Sequence, residues 1–443
     1  MKSNLVKYAL LICFLLAGFA GISQQAADYQ DLKLSDAINL ALEQNKKLKI
    51  QTVKHSIAAL DVADAKNDRL PDVEFHTSYA ILSNLNQFEN GLTHKATSYE
   101  VPREQYDFTL KAEMPIYEGG KLKLEDEQAN VALEVEGLKS RQEERKVKLE
   151  VITDYLQALN LHRQQKLIFD KMHEDSAVIR QSETLKKNGA VTYNDVLRTK
   201  LQLSKHRMTA SELEQEIAIL EHKVKTLLAI DEEVDLHINT DSLFTETTLI
   251  AGMDQMVTEA YNNNETVAIA KKNAESSEIA KKITKTNVLP RITAGGEYGY
   301  SYPNFMFFPP EEYLYRFGKV GVNLTMPLSG LFKNKVKVKK ANQNVYMAQL
   351  QVEDQKDQLR HDVYAAEKRL VEADKKIGIA KEAIDQAKEN YRIVRLKYAN
   401  QLSLITELMD ADNANLEAQS EYISLLIDKQ LKYYQLGYVL GKL

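Results

Sequence analysis

Twice in this chain a strict alternation of apolar and polar residues ends in Met-Pro and opens into a long stretch without proline. In the first copy Tyr106, Phe108, Leu110, Ala112 and Met114 alternate with Asp107, Thr109, Lys111 and Glu113, and Pro115 follows. The second copy places Val320, Val322, Leu324 and Met326 against Gly321, Asn323 and Thr325 before Pro327, so the two Met-Pro pairs are 212 positions apart. Period-2 alternation predicts a strand with one apolar and one wet face. No proline lies between 115 and 290, nor after 327. Seventy helical residues would span about 100 Å, far more than a globular helix. A strand that passes into so long a helix cannot bury its apolar face against that helix.

Before each junction the same plan recurs. Leu34, Ala37, Ile38, Ala41 and Leu42 mark one helix face, with Ser35 or Asp36 as the expected cap. Met253, Met256, Val257, Ala260 and Tyr261 repeat that spacing 219 positions on. Leu70-Pro71 and Leu289-Pro290 end the two helical runs. Val73 to Ile81 and Ile292 to Tyr302 then alternate as strands, so barrel strands are expected within about 72–117 and 291–327. A polar loop carrying Asn90-Gly91 separates the first pair, and a loop with an FMFFPP tip separates the second. After each long helix a turn is expected, at Asn188-Gly189 and at Asn400-Gln401, and a shorter helix returns. Leu149, Ile152, Leu156 and Leu159 predict a coiled-coil seam on the first long helix. Leu404, Leu408, Ala411, Ala418, Tyr422 and Leu425 predict one on the last, interrupted by Asn415. The chain therefore reads as repeat one over about 32–230, a linker over about 231–252, and repeat two over about 253–443, each repeat being helix, strand, strand, long helix, turn, helix.

The start of the chain has two lysines, the apolar run ALLICFLLAGFA, and Gly21-Ile22-Ser23. A basic start, a short apolar core and small residues predict a signal peptide over 1–23. It would remove Cys13, the one cysteine, and with it any disulfide or thiolate chemistry. The net charge of −5 offers no surface for nucleic acid. No HExxH, nucleophile elbow or zinc-type histidine spacing is present, so no enzyme, no metal site and no cofactor is expected. Four one-sided strands cannot close a membrane barrel, whose smallest members use about eight. An exported chain of this kind meets the outer membrane most simply by joining several copies, apolar face to lipid and polar face to a lumen. A periplasmic coiled-coil scaffold or adaptor is the rival reading, and it leaves the one-sided strands without a purpose.

The ordered set LKLSDAINLALEQNKKLK from Leu32, the two Leu-Pro pairs, PIYEGGKL, PLSGLFKN, LKKNGAVTYNDVL and LKYANQLSLITELMDA resembles the outer membrane efflux protein family, the TolC-like channels. The resemblance implies a mixed membrane α/β-barrel: a homotrimer with a 12-stranded outer-membrane barrel continuous with a 12-helix periplasmic tunnel. It implies an exit duct of a tripartite efflux or type I secretion system, fed by an inner-membrane transporter through a periplasmic adaptor protein. The family's acidic entrance ring maps onto Glu407 and Asp410, with Asp195 at the corresponding place of the first tip. Such a ring would attract cations; in a chain 27% charged, the same residues also fit as solvated helix carboxylates. Adaptor docking maps onto Asn188, Gly189, Asn400 and Gln401. The family usually has glycine at both tips, and Gln401 departs from that; a left-handed Asn400 would let the turn survive shifted by one residue.

Overall fold

The computed structural model describes residues 29–240, 252–307 and 310–443. The expected signal segment, part of the linker, and two residues of the FMFFPP tip lie outside the described residues.

Each repeat opens with two helices rather than one. Helix α1 (Leu34–Gln44) and helix α2 (Lys46–Asn67) meet at Asn45; α5 (Met253–Asn263) and α6 (Glu265–Thr286) meet at Asn264. The two asparagines do the same work 219 positions apart. Asn45 accepts from the Lys47 amide at 2.8 Å and donates to the Leu227 carbonyl at 2.9 Å. Asn264 accepts from the Thr266 amide at 2.9 Å and donates to the Val439 carbonyl at 3.0 Å. Each side chain therefore caps a new helix and closes the end of the returning one. Lys33 stands at the N-cap of α1 without a side-chain bond, so Ser35 and Asp36 lie inside its first turn rather than capping it.

The strands follow. β2 (Asp72–Ile81), β5 (Glu104–Tyr117), β7 (Arg291–Tyr302) and β8 (Tyr315–Thr325) form one antiparallel sheet in the order β2-β5-β7-β8. Short strands β3 (Leu85–Gln87) and β4 (Thr97–Tyr99) pair within the first outer loop. Pairing of β5 with β7 joins the two repeats, and its register sets Phe108 opposite Tyr300, Leu110 opposite Tyr298, and Ala112 opposite Gly296. One face of the sheet thus carries Phe75, Leu110, Tyr298, Val320 and Val322, and the other carries Glu74, Lys111, Glu297, Lys319 and Asn323. On the apolar face Val320 is 93% exposed and Ile81 74%. Tyr79, Tyr106 and Tyr302 line up across three strands near the loops, the last two stacked at 4.9 Å. Strand β7 comes so close to β5 that a Cβ at Gly299 would lie 2.7 Å from the Phe108 carbonyl oxygen, which explains a glycine inside a strand.

The long helices are α3 (Lys121–Lys187) and α7 (Gly330–Ala399), returning as α4 (Tyr193–Leu228) and α8 (Ile405–Val439). Each repeat has its own core where its short helix meets its long hairpin. In the first, Ala37 and Ala41 pack with Val147, Val151, Val224 and Leu228; in the second, Met256 and Ala260 pack with Leu359, Val363, Leu436 and Leu440. The stretch expected as a linker holds a third element, β6 (Leu236–Ile238), which pairs in parallel with β1 (Tyr29–Leu32). The Tyr155 hydroxyl donates to the Leu32 and Asn239 carbonyls and pins both strand ends to α3. Beneath the sheet α2 packs on α3, α3 on α6 and α6 on α7; farther down, α4 packs on α3, α3 on α8 and α8 on α7. Among the described residues no helix is long and apolar enough to cross a membrane.

Candidate functional site

The expected site residues gather at the far ends of the two helical hairpins. Asn188 and Gly189 form the first turn, with Gly189 at φ 72°. The second turn does not shift onto Asn400: Gln401 itself takes φ 60° and Asn400 stays at φ −95°. Both turns carry the same closing bonds, Gly189 N–H to the Lys186 carbonyl and Ala190 N–H to Leu185, then Gln401 N–H to Tyr398 and Leu402 N–H to Lys397. This is the Schellman closure that favours glycine at the left-handed residue. Gln401→Gly is therefore expected to stabilise the second tip by about 1 kcal/mol, read as a higher midpoint of thermal unfolding; a lowered midpoint would show that the glutamine side chain has a role there.

Asp195 and Glu407 occupy the same helix position, 212 apart, with different partners. Asp195 accepts from the Thr192 amide and hydroxyl, both at 2.8 Å, while Thr192 accepts from the Asp195 amide. That capping box gives Asp195 a structural task. In the second tip Leu404 stands at the N-cap and offers no side-chain bond, so Glu407 accepts instead from the Ser403 hydroxyl. Glu407 and Asp410 are both exposed, one turn apart on the side of α8 away from its buried residues Ile405, Leu408 and Ala411. Leu404, expected on the buried seam, is 68% exposed because the helix begins one residue after it. With Leu402, Tyr193 and Leu197, it gives the tips an apolar surface that the helical period alone did not reveal.

Above the tips lies a polar cluster that sequence reasoning missed. Lys171 on α3 is 6% exposed; its ammonium donates to Glu174 at 2.7 Å and to Asp412 of α8, and lies 4.9 Å from the Tyr391 ring. Asp175 meets His206 of α4 at 2.6 Å, and Gln202 donates to Asn413 of α8 at 2.6 Å. Ser182 and the Tyr398 hydroxyl are 3.2 Å apart. The cluster ties the first hairpin to the second. Burial pushes the Asp412 carboxyl up, with Asp175 and Glu174 adding like charge against the opposing pull of Lys171. Burial alone would lower Lys171, but its carboxylate partners hold it above the ordinary lysine range. Next to the cluster a cavity of about 20 Å³, lined by Asp175, Gln202, Tyr391 and Asp412 among others, has room for about one water.

Known proteins agree with this geometry. The sequence model described as outer membrane efflux protein matches residues 37–229 and 256–442, one span in each repeat. No curated protein matches the sequence. Among solved structures, the outer-membrane channel OprN superposes with a TM-score of 0.76 at 16% identity, covering 92% of this chain and 90% of that one. The outer membrane protein VceC of Vibrio cholerae gives 0.73 at 16% identity over 92% of this chain and 96% of its own. The open state of the MtrE outer membrane channel of Neisseria gonorrhoeae gives 0.72 at 15% identity over 92% and 88%. A one-sided sheet above twin helical hairpins, and a family match spanning both repeats, lead to one conclusion: this chain belongs to the outer membrane efflux protein family, as a passive exit duct of the outer membrane with a helical extension into the periplasm.

Proposed function

We propose that three copies of this chain close into a 12-stranded barrel and a 12-helix tunnel, and that the duct serves a tripartite efflux or type I secretion system. The observation that carries this is the pair of open edges. A four-stranded sheet with unpaired β2 and β8 is not stable as an isolated surface, and in lipid every strand edge needs a partner. Three fourfold sheets supply enough strands for a barrel, and the same copies close the helical layers below. Cargo enters from an inner-membrane transporter through a periplasmic adaptor that seats on the tips at Asn188, Gly189, Asn400 and Gln401, aided by the exposed Leu402, Leu404 and Tyr193. At the entrance Glu407 and Asp410 form the acidic ring, six carboxylates in the trimer, while Asp195 adds its charge from within its capping box.

The ring has a direct test in planar bilayers. Multivalent cations added on the periplasmic side block the wild-type channel, and Glu407→Ala with Asp410→Ala weakens that block by tenfold or more, about 1.4 kcal/mol of lost cation affinity. Unchanged block in the double variant would remove these residues from the constriction, and a protein that never conducts would remove the duct itself.

A further inference from the structure

The helical layer under the sheet ends in α2 on one side and α7 on the other, matching the open strands β2 and β8 to which they connect. Each edge helix buries one side and leaves the opposite side bare. Helix α2 exposes Ile50, Val53, Ile57 and Leu60; α7 exposes Phe332, Val336, Met347 and Leu350. Charges flank these stripes in a matched pattern. Near the sheet α2 carries Asp61 and Asp64, with Asp68 at its C-cap, spaced three and four; α7 begins with Lys333, Lys337 and Lys340, spaced four and three. All six are exposed, and none has an ion pair among the described residues. By contrast Arg69, on the inner side of the α2 end, pairs with Asp126 of its own chain.

We propose that Asp68, Asp64 and Asp61 of one copy pair with Lys333, Lys337 and Lys340 of the next copy, as an antiparallel charge ladder just below the membrane. The proposal rests on the trimer reading above and adds the register of its joint. Helix α2 runs toward the sheet and α7 away from it, so each step down α2 meets an equal step along α7. Spacings of three and four keep each triplet on one helix flank. Counted from the buried side in chain direction, both triplets fall on the same flank, and in antiparallel helices those flanks share one side of the layer. The signs then reverse together. At the foot of α2 the exposed side carries Lys46 and Lys49, and the facing stretch of α7 carries exposed Asp354 and Asp357. A second copy of this chain is thus the complement to both edges.

Disulfide trapping tests the register in intact outer membranes. Asp64→Cys with Lys337→Cys in one chain is expected to give dimers and closed trimers on oxidation, because the two positions lie on opposite edges of each copy. Asp64→Cys with Asp354→Cys, off register by nearly five turns, is expected to stay monomeric on the same gel. Reversing the acids (D61K/D64K/D68K) or the lysines (K333E/K337E/K340E) is expected to raise trimer dissociation about tenfold, and combining both sets to restore it. A wild-type trimer in detergent whose matched cysteines do not cross-link overturns the ladder and leaves the trimer standing. A wild-type monomer overturns both.

Discussion

Lys171→Met is expected to destabilise the helical hairpins by about 3–5 kcal/mol, the usual cost of removing one partner from a buried ion pair. The lysine is 6% exposed and holds Glu174 and Asp412 together between α3 and α8. Without it, Asp412 keeps its buried carboxylate beside Asp175 and Glu174 with no compensating charge. The pH dependence has a definite sign. The folded-state pKa of Asp412 is raised, so between its unfolded value and that raised value the folded chain binds more protons than the unfolded one. Losing Lys171 removes the pull that lowers Asp412, so its folded-state pKa rises further in the variant. The deficit relative to wild type shrinks as pH falls from the variant's value toward the wild-type one, being larger at pH 7 than at pH 5. Thermal unfolding in detergent at pH 5 and pH 7 measures both effects. Pairing Lys171→Met with Asp412→Leu should recover most of the loss, since an apolar pair of similar volume replaces a buried ion pair at little cost. A single variant as stable as wild type at neutral pH would mean that the pair contributes nothing to hairpin docking.

The second large effect belongs to the sheet. Val320→Arg is expected to cost about 2–4 kcal/mol per chain, the penalty for an arginine on the lipid side of a barrel at mid-depth. Val320 lies centrally in β8, opposite Gly296, and shares its face with Val322 and Leu324. Asn323→Arg, on the polar face of the same strand, is expected to cost almost nothing, because that face meets water and already carries Lys319 and Glu297 paired at 2.8 Å. Eleven residues at about 3.3 Å each, tilted about 40°, give β8 a height near the 25 Å of an apolar barrel band. The fraction of each variant folded into outer membranes, compared by urea extraction, separates the two. Equal costs on the two faces would contradict the assignment of lipid and lumen.

Much of this architecture could be read from the residues because lipid and water impose opposite demands on successive strand positions. Phe108 and Asp107 cannot exchange faces, so the alternation survives in the sequence, and the prolines mark where it stops. The internal duplication made each reading count twice. The break at Asn45 stayed hidden because apolar helical spacing continues on both sides of it. Pairing of β1 with β6 was out of reach for a related reason: a few residues some two hundred positions apart carry no periodic signal. Lys171, Asp175, His206 and Asp412 look like solvated charges in a chain this polar, and only the helix packing turns them into a buried cluster. At the second tip, helical period placed Leu404 inside, whereas the turn at Gln401 delays the helix and leaves that leucine in water.

A working duct depends on the closure of several one-sided sheets into one conducting barrel. Single-channel recording of the purified, detergent-extracted protein, with native mass determined on the same sample, tests that directly. A mass of three chains together with discrete conductance steps is the predicted result. A monomer or dimer that never inserts into a bilayer would contradict it and would return the chain to a periplasmic helical scaffold.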